Sequence, residues 1–207
     1  MNKESILKAL EELRKEEKRK FQQTVDLIIN LRNFDSKKQS VNLFIEVPFS
    51  VKEKKVCAFL TKKSEIIESI VKADFEKYKG AELKNLAKNY DFFISSASLM
   101  PAVAASFGKV LGPLGKMPSP QLGIFTAEDN KSIEATLSKI NKIVRIKTKE
   151  PSLKIAIGKE QMKDEEIAEN VISVYNSVLN ALPRKKENLK SILIKFTMSK
   201  PKKINLK

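Results

Sequence analysis

The sequence predicts an α/β protein with two kinds of sheet, and three observations carry that prediction. Near both ends of the chain, apolar residues alternate with polar ones, as in strands that bury one face. Between about residue 54 and residue 141, short apolar runs alternate with segments of helical period. That is the pattern of a small, largely parallel sheet with helices on both faces. The composition, 42% hydrophobic over 207 residues, is enough for a core in one or two domains.

The elements follow in order. Ser5–Lys20 reads as a helix, because Ile6, Leu10 and Leu13 form one stripe among Lys, Arg and Glu. Val25, Leu27, Ile29 and Leu31 alternate with Thr24, Asp26, Ile28 and Asn30, a strand. Asn33–Gln39 is a charged turn, and Val41, Leu43, Ile45 and Val47 form a strand that Pro48 ends. Val56–Leu60 is a short buried strand. Ser64 suits the N-cap of a helix over Glu65–Lys72, and Gly80 opens another over Ala81–Asn89. Phe92–Ile94 is a buried strand, and Ser98 caps a helix that reaches Phe107 and stops at Gly108. A loop rich in Gly and Pro runs on to Gly123, and a helix follows near Ser132–Lys142. Val144, Ile146 and Thr148 form a hairpin with Leu153, Ile155 and Ile157 across Glu150-Pro151-Ser152, closed by Gly158. Asp164 caps the strongest amphipathic helix, whose stripe runs from Ile167 to Leu182 and ends at Pro183. Ser191–Met198 is the last strand.

Several chemistries are excluded. There is no His, and Cys57 is the single Cys. No Ser-His or Cys-His nucleophile, no His/Cys zinc site and no intrachain disulfide can be built, and a lone Cys fits a reducing compartment. In Gly112-Pro113-Leu114-Gly115-Lys116-Met117, Met117 stands where a Walker loop needs the hydroxyl that binds magnesium. No dinucleotide loop occurs either, so no cofactor and no enzymatic activity are expected. Residues 1–20 are charged throughout, unlike a signal peptide. The longest uncharged run, Phe92–Gly108, contains Pro101 and four serines, too short and polar for a membrane span.

The positive evidence is charge. The chain carries a net +15, from 35 Lys and 5 Arg against 25 acids. Such an excess points to a polyanion, and lysine is a point charge suited to phosphate. It is uneven: +2 over residues 1–53, +4 over 54–141 and +9 over 142–207. In the last strand, Ile192, Ile194, Phe196 and Met198 face one way and Ser191, Leu193, Lys195 and Thr197 the other. Beside Thr24 and Asp26, and with Lys147, Lys149 and Lys154, such a face suits RNA phosphates and ribose hydroxyls. With no Trp and three Tyr, it is not a base-stacking platform.

Three segments carry a resemblance: Lys20-Phe21-Gln22-Gln23-Thr24-Val25-Asp26-Leu27, Tyr90-Asp91-Phe92-Phe93-Ile94 through Met117-Pro118-Ser119-Pro120, and Lys195-Phe196-Thr197-Met198-Ser199-Lys200-Pro201. In order and spacing they resemble the L-one family of large-subunit ribosomal proteins, archaeal type, over nearly the whole chain. The resemblance implies a discontinuous two-layer α/β domain, 1–53 with 142–207, holding +11 of the charge. Into it is inserted a Rossmann-like three-layer α/β/α domain, 54–141. It further implies a cytoplasmic, ribosome-associated protein, monomeric when free, that binds large-subunit rRNA at a mobile stalk. Exit-site tRNA and the protein's own mRNA, whose translation it would repress, are the other implied partners. Carried over residue by residue, the RNA contacts are Lys20, Phe21, Thr24, Ser191, Thr197, Met198 and Ser199. Lys147, Lys159, Lys195 and Lys200 are the expected phosphate partners. Ser199 departs from the family's usual Gly, which would allow a positive φ or close RNA approach. Ser119 stands where members often have a basic or amide residue.

Overall fold

The computed structural model describes residues 2–16, 19–34, 42–78, 80–120, 122–126, 129–147 and 150–205. In chain order its elements are α1 (Lys3–Arg14), β1 (Thr24–Leu31), β2 (Asn42–Glu46), β3 (Val56–Leu60), β4 (Ser69–Val71), α2 (Ala81–Asn89), β5 (Phe92–Ser96) and α3 (Met100–Leu114). They continue with β6 (Ile124–Phe125), α4 (Asn130–Lys142), β7 (Ile143–Lys147), β8 (Ser152–Lys159), α5 (Asp164–Ala181), β9 (Leu189–Phe196) and β10 (Lys202–Ile204). The chain divides into two compact units, Met1–Lys52 with Lys142–Lys207 and Glu53–Asn141.

The unit built from both chain ends has two layers. Its main sheet is antiparallel, in the order β10-β9-β1-β8. β1 therefore sits inside, between two strands that lie more than a hundred residues later. Alternation dictates the rest: Val25, Leu27, Ile29 and Leu31 of β1 are buried with Ile192, Ile194 and Phe196 of β9 and Leu153, Ile155 and Ile157 of β8. Against this face pack Ile6, Leu10 and Leu13 of α1 and Ile167, Val171, Val174 and Val178 of α5. Each such side chain contributes about 1.5–3 kcal/mol of burial. Asn170 of α5 is wholly buried and fully satisfied. Its amide donates to the Phe49 and Ile157 carbonyls at 3.0 and 2.9 Å, and its oxygen accepts from the Phe49 N–H at 3.0 Å. Among the described residues, no helix layer covers the opposite face of the sheet.

The inserted unit has three layers. Its parallel sheet runs β4-β3-β5-β6. Cys57, Phe59 and Phe93 face α2 and α3, meeting Leu83, Leu86, Val103, Phe107 and Leu111. Val56, Ala58, Leu60 and Ile94 face Ile133 and Ile140 of α4. β3 is buried on both faces, which is why it reads as a continuous apolar run and not as alternation. The Phe59 ring lies 4.9 Å from that of Phe107 and 5.7 Å from that of Phe93, centroid to centroid.

Several expectations are corrected. The first helix ends at Arg14 and does not reach Lys20; beyond Leu13 nothing apolar remains to hold it to the core. No helix forms at 65–72. The Ser64 hydroxyl instead accepts from the Ile66 N–H at 3.3 Å, a local turn, and Ser69–Val71 pair with β3 as β4. α3 runs through Gly108 and Gly112 to Gly115, because Val103, Phe107 and Leu111 recur every four residues and are fully buried. Helical burial outweighs the roughly 1 kcal/mol that each mid-helix glycine costs. Only Gly115, at φ 65°, supplies the left-handed turn that ends the helix. Lys116 Nζ donates to the Ala87 and Tyr90 carbonyls at 2.7 Å, closing α2. It is a capping lysine.

β7 and β8 form no hairpin. β7 pairs antiparallel with β2 in a separate two-stranded sheet, and β8 pairs with β1. Local alternation specifies a strand but not its partner. Asp164 is the first residue of α5, not its cap. The last strand ends at Phe196, so Thr197 and Met198 lie in a turn, and β6 and β10 are additional short strands. Most of the turn expected at Asn33–Gln39 lies outside the described residues, as do Val41, Thr148 and Lys149.

Candidate nucleic-acid interface

The uncovered face of the β10-β9-β1-β8 sheet is built by parity. Thr24, Asp26, Ile28 and Asn30 project from β1, opposite its buried row. Across the ladder, Asp26 stands beside Lys195 and Ala156, and Asn30 beside Ser191 and Ser152. Asn30 ties three strands together: its amide donates to Ser191 Oγ at 3.0 Å, and Ser152 Oγ donates to its oxygen at 2.9 Å. Burial pushes the Asp26 carboxyl above the usual carboxylate value, and the nearby Lys195 charge only partly offsets this. Lys154 extends the face from β8.

A β-bulge shapes one end of this face. In the β1–β8 ladder Val25 faces Gly158 but Asp26 faces Ala156, so Ile157 is the extra residue. Simple alternation from Lys154 would turn Lys159 toward the core. The bulge resets the phase and sets Lys159 opposite Thr24. It also presses Gly158 against α5, where an added Cβ would stand 3.2 Å from Ile167 Cγ1 and 3.3 Å from Met162 Sδ.

At the same end, three chain segments are knotted together. The Thr24 N–H donates to Thr197 Oγ1 at 3.1 Å, and the Thr197 hydroxyl and N–H both reach the Thr24 carbonyl, at 3.3 and 3.1 Å. The Met198 N–H donates to Gln23 Oε1 at 3.1 Å, and the Glu160 N–H to the Gln23 carbonyl at 2.9 Å. Gln23 is only 4% exposed. Ser199 Oγ accepts from the Phe196 N–H at 2.8 Å, and its N–H returns to the Phe196 carbonyl at 3.1 Å. Ser199 is not among the positive-φ residues, so serine is unstrained where glycine was expected, and its hydroxyl closes the turn. Arg14 braces the loop after β8 from behind, bonding Asp164 at 2.6 Å and the Met162 carbonyl at 2.9 Å.

Two large apolar side chains stand out from this knot: Phe21 is 52% exposed and Met198 62%. Exposed Lys20 and Lys200 are close to them in sequence, and half-buried Lys159 stands opposite Thr24 on β8. Thus Lys20, Phe21, Thr24, Lys159, Thr197, Met198, Ser199 and Lys200 are brought to one sheet end. Lys195 lies on the same open face, beside Asp26. Ser191 shares that face but sits six residues away along β9, roughly 20 Å. Lys147 belongs to β7 and faces Asn42 in the other sheet, so the merged face expected for it does not form.

Sequence reasoning passed over Gln23 and Glu160 as functional residues. For Gln23 a signal existed: it lies in phase with the buried row Val25, Leu27, Ile29, and a polar side chain on a core face must find partners.

The knot offers hydroxyls, turn amides, a flexible thioether, an aromatic ring and ammonium groups. It suits a ligand with phosphates, ribose hydroxyls and an apolar ring surface together. In the other unit burial pushes the Cys57 thiol up to about 12, far from thiolate chemistry.

Comparison with known proteins finds matches over nearly the whole chain. The model of the ribosomal protein L1p/L10e family matches residues 13–200. A Pyrobaculum neutrophilum protein named large ribosomal subunit protein uL1 is 35% identical, the match covering 98% of this chain and 94% of the relative. A protein of the same name from Thermococcus kodakarensis is 32% identical, with 98% of each chain covered. That from Nanoarchaeum equitans is 33% identical over 89% of this chain and 92% of the relative.

Proposed function

The chain belongs to the ribosomal protein L1p/L10e family, and from that premise we propose that it is a non-catalytic structural protein of the large ribosomal subunit that grips large-subunit rRNA. The single observation that supports the grip is the Thr24–Thr197 hydrogen-bonded junction at one sheet end, where the adjoining segments carry exposed Phe21 and Met198 together with Lys20, Lys159 and Lys200. Lysines supply attraction without sequence information, while the short-range hydroxyl, amide and apolar contacts choose the RNA. The bound segment is folded rRNA of the mobile stalk. Through the stalk the protein assists passage of deacylated tRNA at the exit site, and the same surface takes a similar fold in its own mRNA and represses its translation. Free of RNA the protein is a monomer. Its place of work is the cytoplasmic ribosome.

Binding of a stalk rRNA fragment, measured over a range of salt against a scrambled hairpin, tests this. A specific fragment preference at every salt is expected. Lys200→Ala should lower the magnitude of the salt slope by about 0.7–0.9, the effect of leaving one phosphate un-neutralised. Equal affinity for stalk and scrambled RNA would overturn the reading. Sedimentation with large subunits at high salt tests the ribosomal placement, and repression of a reporter carrying the protein's own leader tests the regulatory role.

A further inference from the structure

The inserted unit holds a second polar feature, which the rRNA grip does not use. In the order β4-β3-β5-β6, the first strand of the unit, β3, has β4 on one side and β5 on the other. The chain thus reverses its direction of travel across the sheet between β3 and β5. In open α/β sheets the loops leaving the carboxyl ends of two such strands diverge and leave a crevice. Here that crevice has a volume of about 560 Å³, lined by the segments that follow β3, β5 and β6.

Its lining is selective. Lys62 and Lys63 come from the turn after β3, and both are exposed. Ser96, 3% exposed, and Ser98 come from the end of β5, their hydroxyl oxygens 3.0 Å apart. Two hydroxyls joined by one hydrogen bond leave one O–H to donate elsewhere. Thr126 adds a hydroxyl from the far side, and Asp129 is the one acid in the lining among the described residues. The nearby Asp74 pairs with Lys77 at 2.7 Å and also feels the Lys63 charge. No aromatic ring lines the crevice among the described residues, so a nucleobase would find nothing to stack on.

From these features we infer that the crevice at the carboxyl ends of β3, β5 and β6 is a site for a phosphate group, held by Lys62, Lys63 and the Ser96–Ser98 hydroxyls. Its ligand is a phosphate without base recognition, either in a nucleic-acid backbone or as a free phosphomonoester.

The test uses the full chain, titrated with inorganic phosphate at constant ionic strength and followed by amide chemical shifts. Saturable shifts confined to residues 61–64 and 96–98 are expected. The double variant Lys62→Gln, Lys63→Gln should weaken them about tenfold. Both lysines are exposed, so its melting temperature should match that of the wild type. Shifts that scatter over the lysine-rich surface, do not saturate, or persist unchanged in the double variant would overturn the inference. Two further arms separate the sources. Displacement of phosphate by a short single-stranded oligoribonucleotide of any sequence indicates the backbone, and displacement by a 5′-mononucleotide alone indicates the free monoester. Stalk rRNA affinity of the same variant should be unchanged, so failure here is distinguishable from failure of the proposed function.

Discussion

The two four-stranded sheets of this protein differ in what covers them. The parallel sheet of the inserted unit is roofed on both faces, by α2 and α3 on one side and α4 on the other. Its side chains are committed to packing, and polar chemistry is pushed to the strand ends. The antiparallel sheet of the end-built unit is, among the described residues, roofed on one face only. Its other face is free to carry Thr24, Asp26, Asn30, Ser152, Lys154, Ser191 and Lys195, linked across strands. A covered sheet spends its faces on stability, while a half-covered sheet can recognise a partner along its whole surface.

Mutations can break or sharpen that contrast. The largest effect is expected from Phe59→Ala in the covered sheet. Removing this fully buried ring from its packing with Phe93, Phe75 and Phe107 should cost about 3–5 kcal/mol. Thermal and urea unfolding would show it, with stalk rRNA affinity within about threefold of wild type if the grip belongs to the other unit. A collapse of RNA binding at a temperature where the end-built unit is still folded would erase the distinction. Next, Thr197→Val removes a hydroxyl that both accepts from and donates to Thr24. RNA affinity should fall by about 1–3 kcal/mol, with a smaller loss of stability because the Thr24 N–H loses that acceptor. Unchanged affinity in a filter-binding assay would remove the knot from the interface.

Smaller effects probe how each surface is used. Gly108→Ala and Gly112→Ala fall in α3 where nothing stands within 4 Å of a new Cβ, so each should stabilise the protein by roughly 0.5–1 kcal/mol. Destabilisation in a melting experiment would mean that α3 is not helical there. The smallest effect concerns pH. Because Asp26 has a raised pKa in the folded protein, the folded state holds that proton more tightly than the unfolded state does. Its contribution to stability is therefore lost as pH rises through and above the ordinary carboxylate range. Asp26→Asn should remove that part of the fall, so the variant gains on the wild type with rising pH in urea melts. A gap that stays constant with pH would show that Asp26 titrates normally.

Much of this was legible in residue order, and the failures have physical causes. The alternation of Thr24–Leu31 and the stripe from Ile167 to Leu182 reveal β1 and α5 directly, because each buries one face. Thr24 and Thr197 were recoverable as partners through the family resemblance, which pairs segments far apart in sequence. The pairing of β7 with β2 was not legible, since alternation looks the same whatever strand lies alongside. The continuation of α3 through two glycines was hidden because glycine is a local signal, while the burial of Phe107 and Leu111 is a tertiary fact. Lys159 needed the bulge at Ile157, which periodicity alone cannot place, and Lys147 failed for want of the right neighbour.

The interior position of β1 has a consequence for synthesis. This strand leaves the ribosome first, yet the first of its neighbours, β8, begins about 120 residues later. At roughly 5–20 residues per second, an apolar strand with two unpaired edges waits on the order of ten seconds. Meanwhile the inserted unit, whose strands lie close together in sequence, emerges whole. Arg19 and Lys20 before β1 and Arg32 after it set charge at both ends of that apolar strand, an arrangement that disfavours adhesion to another copy.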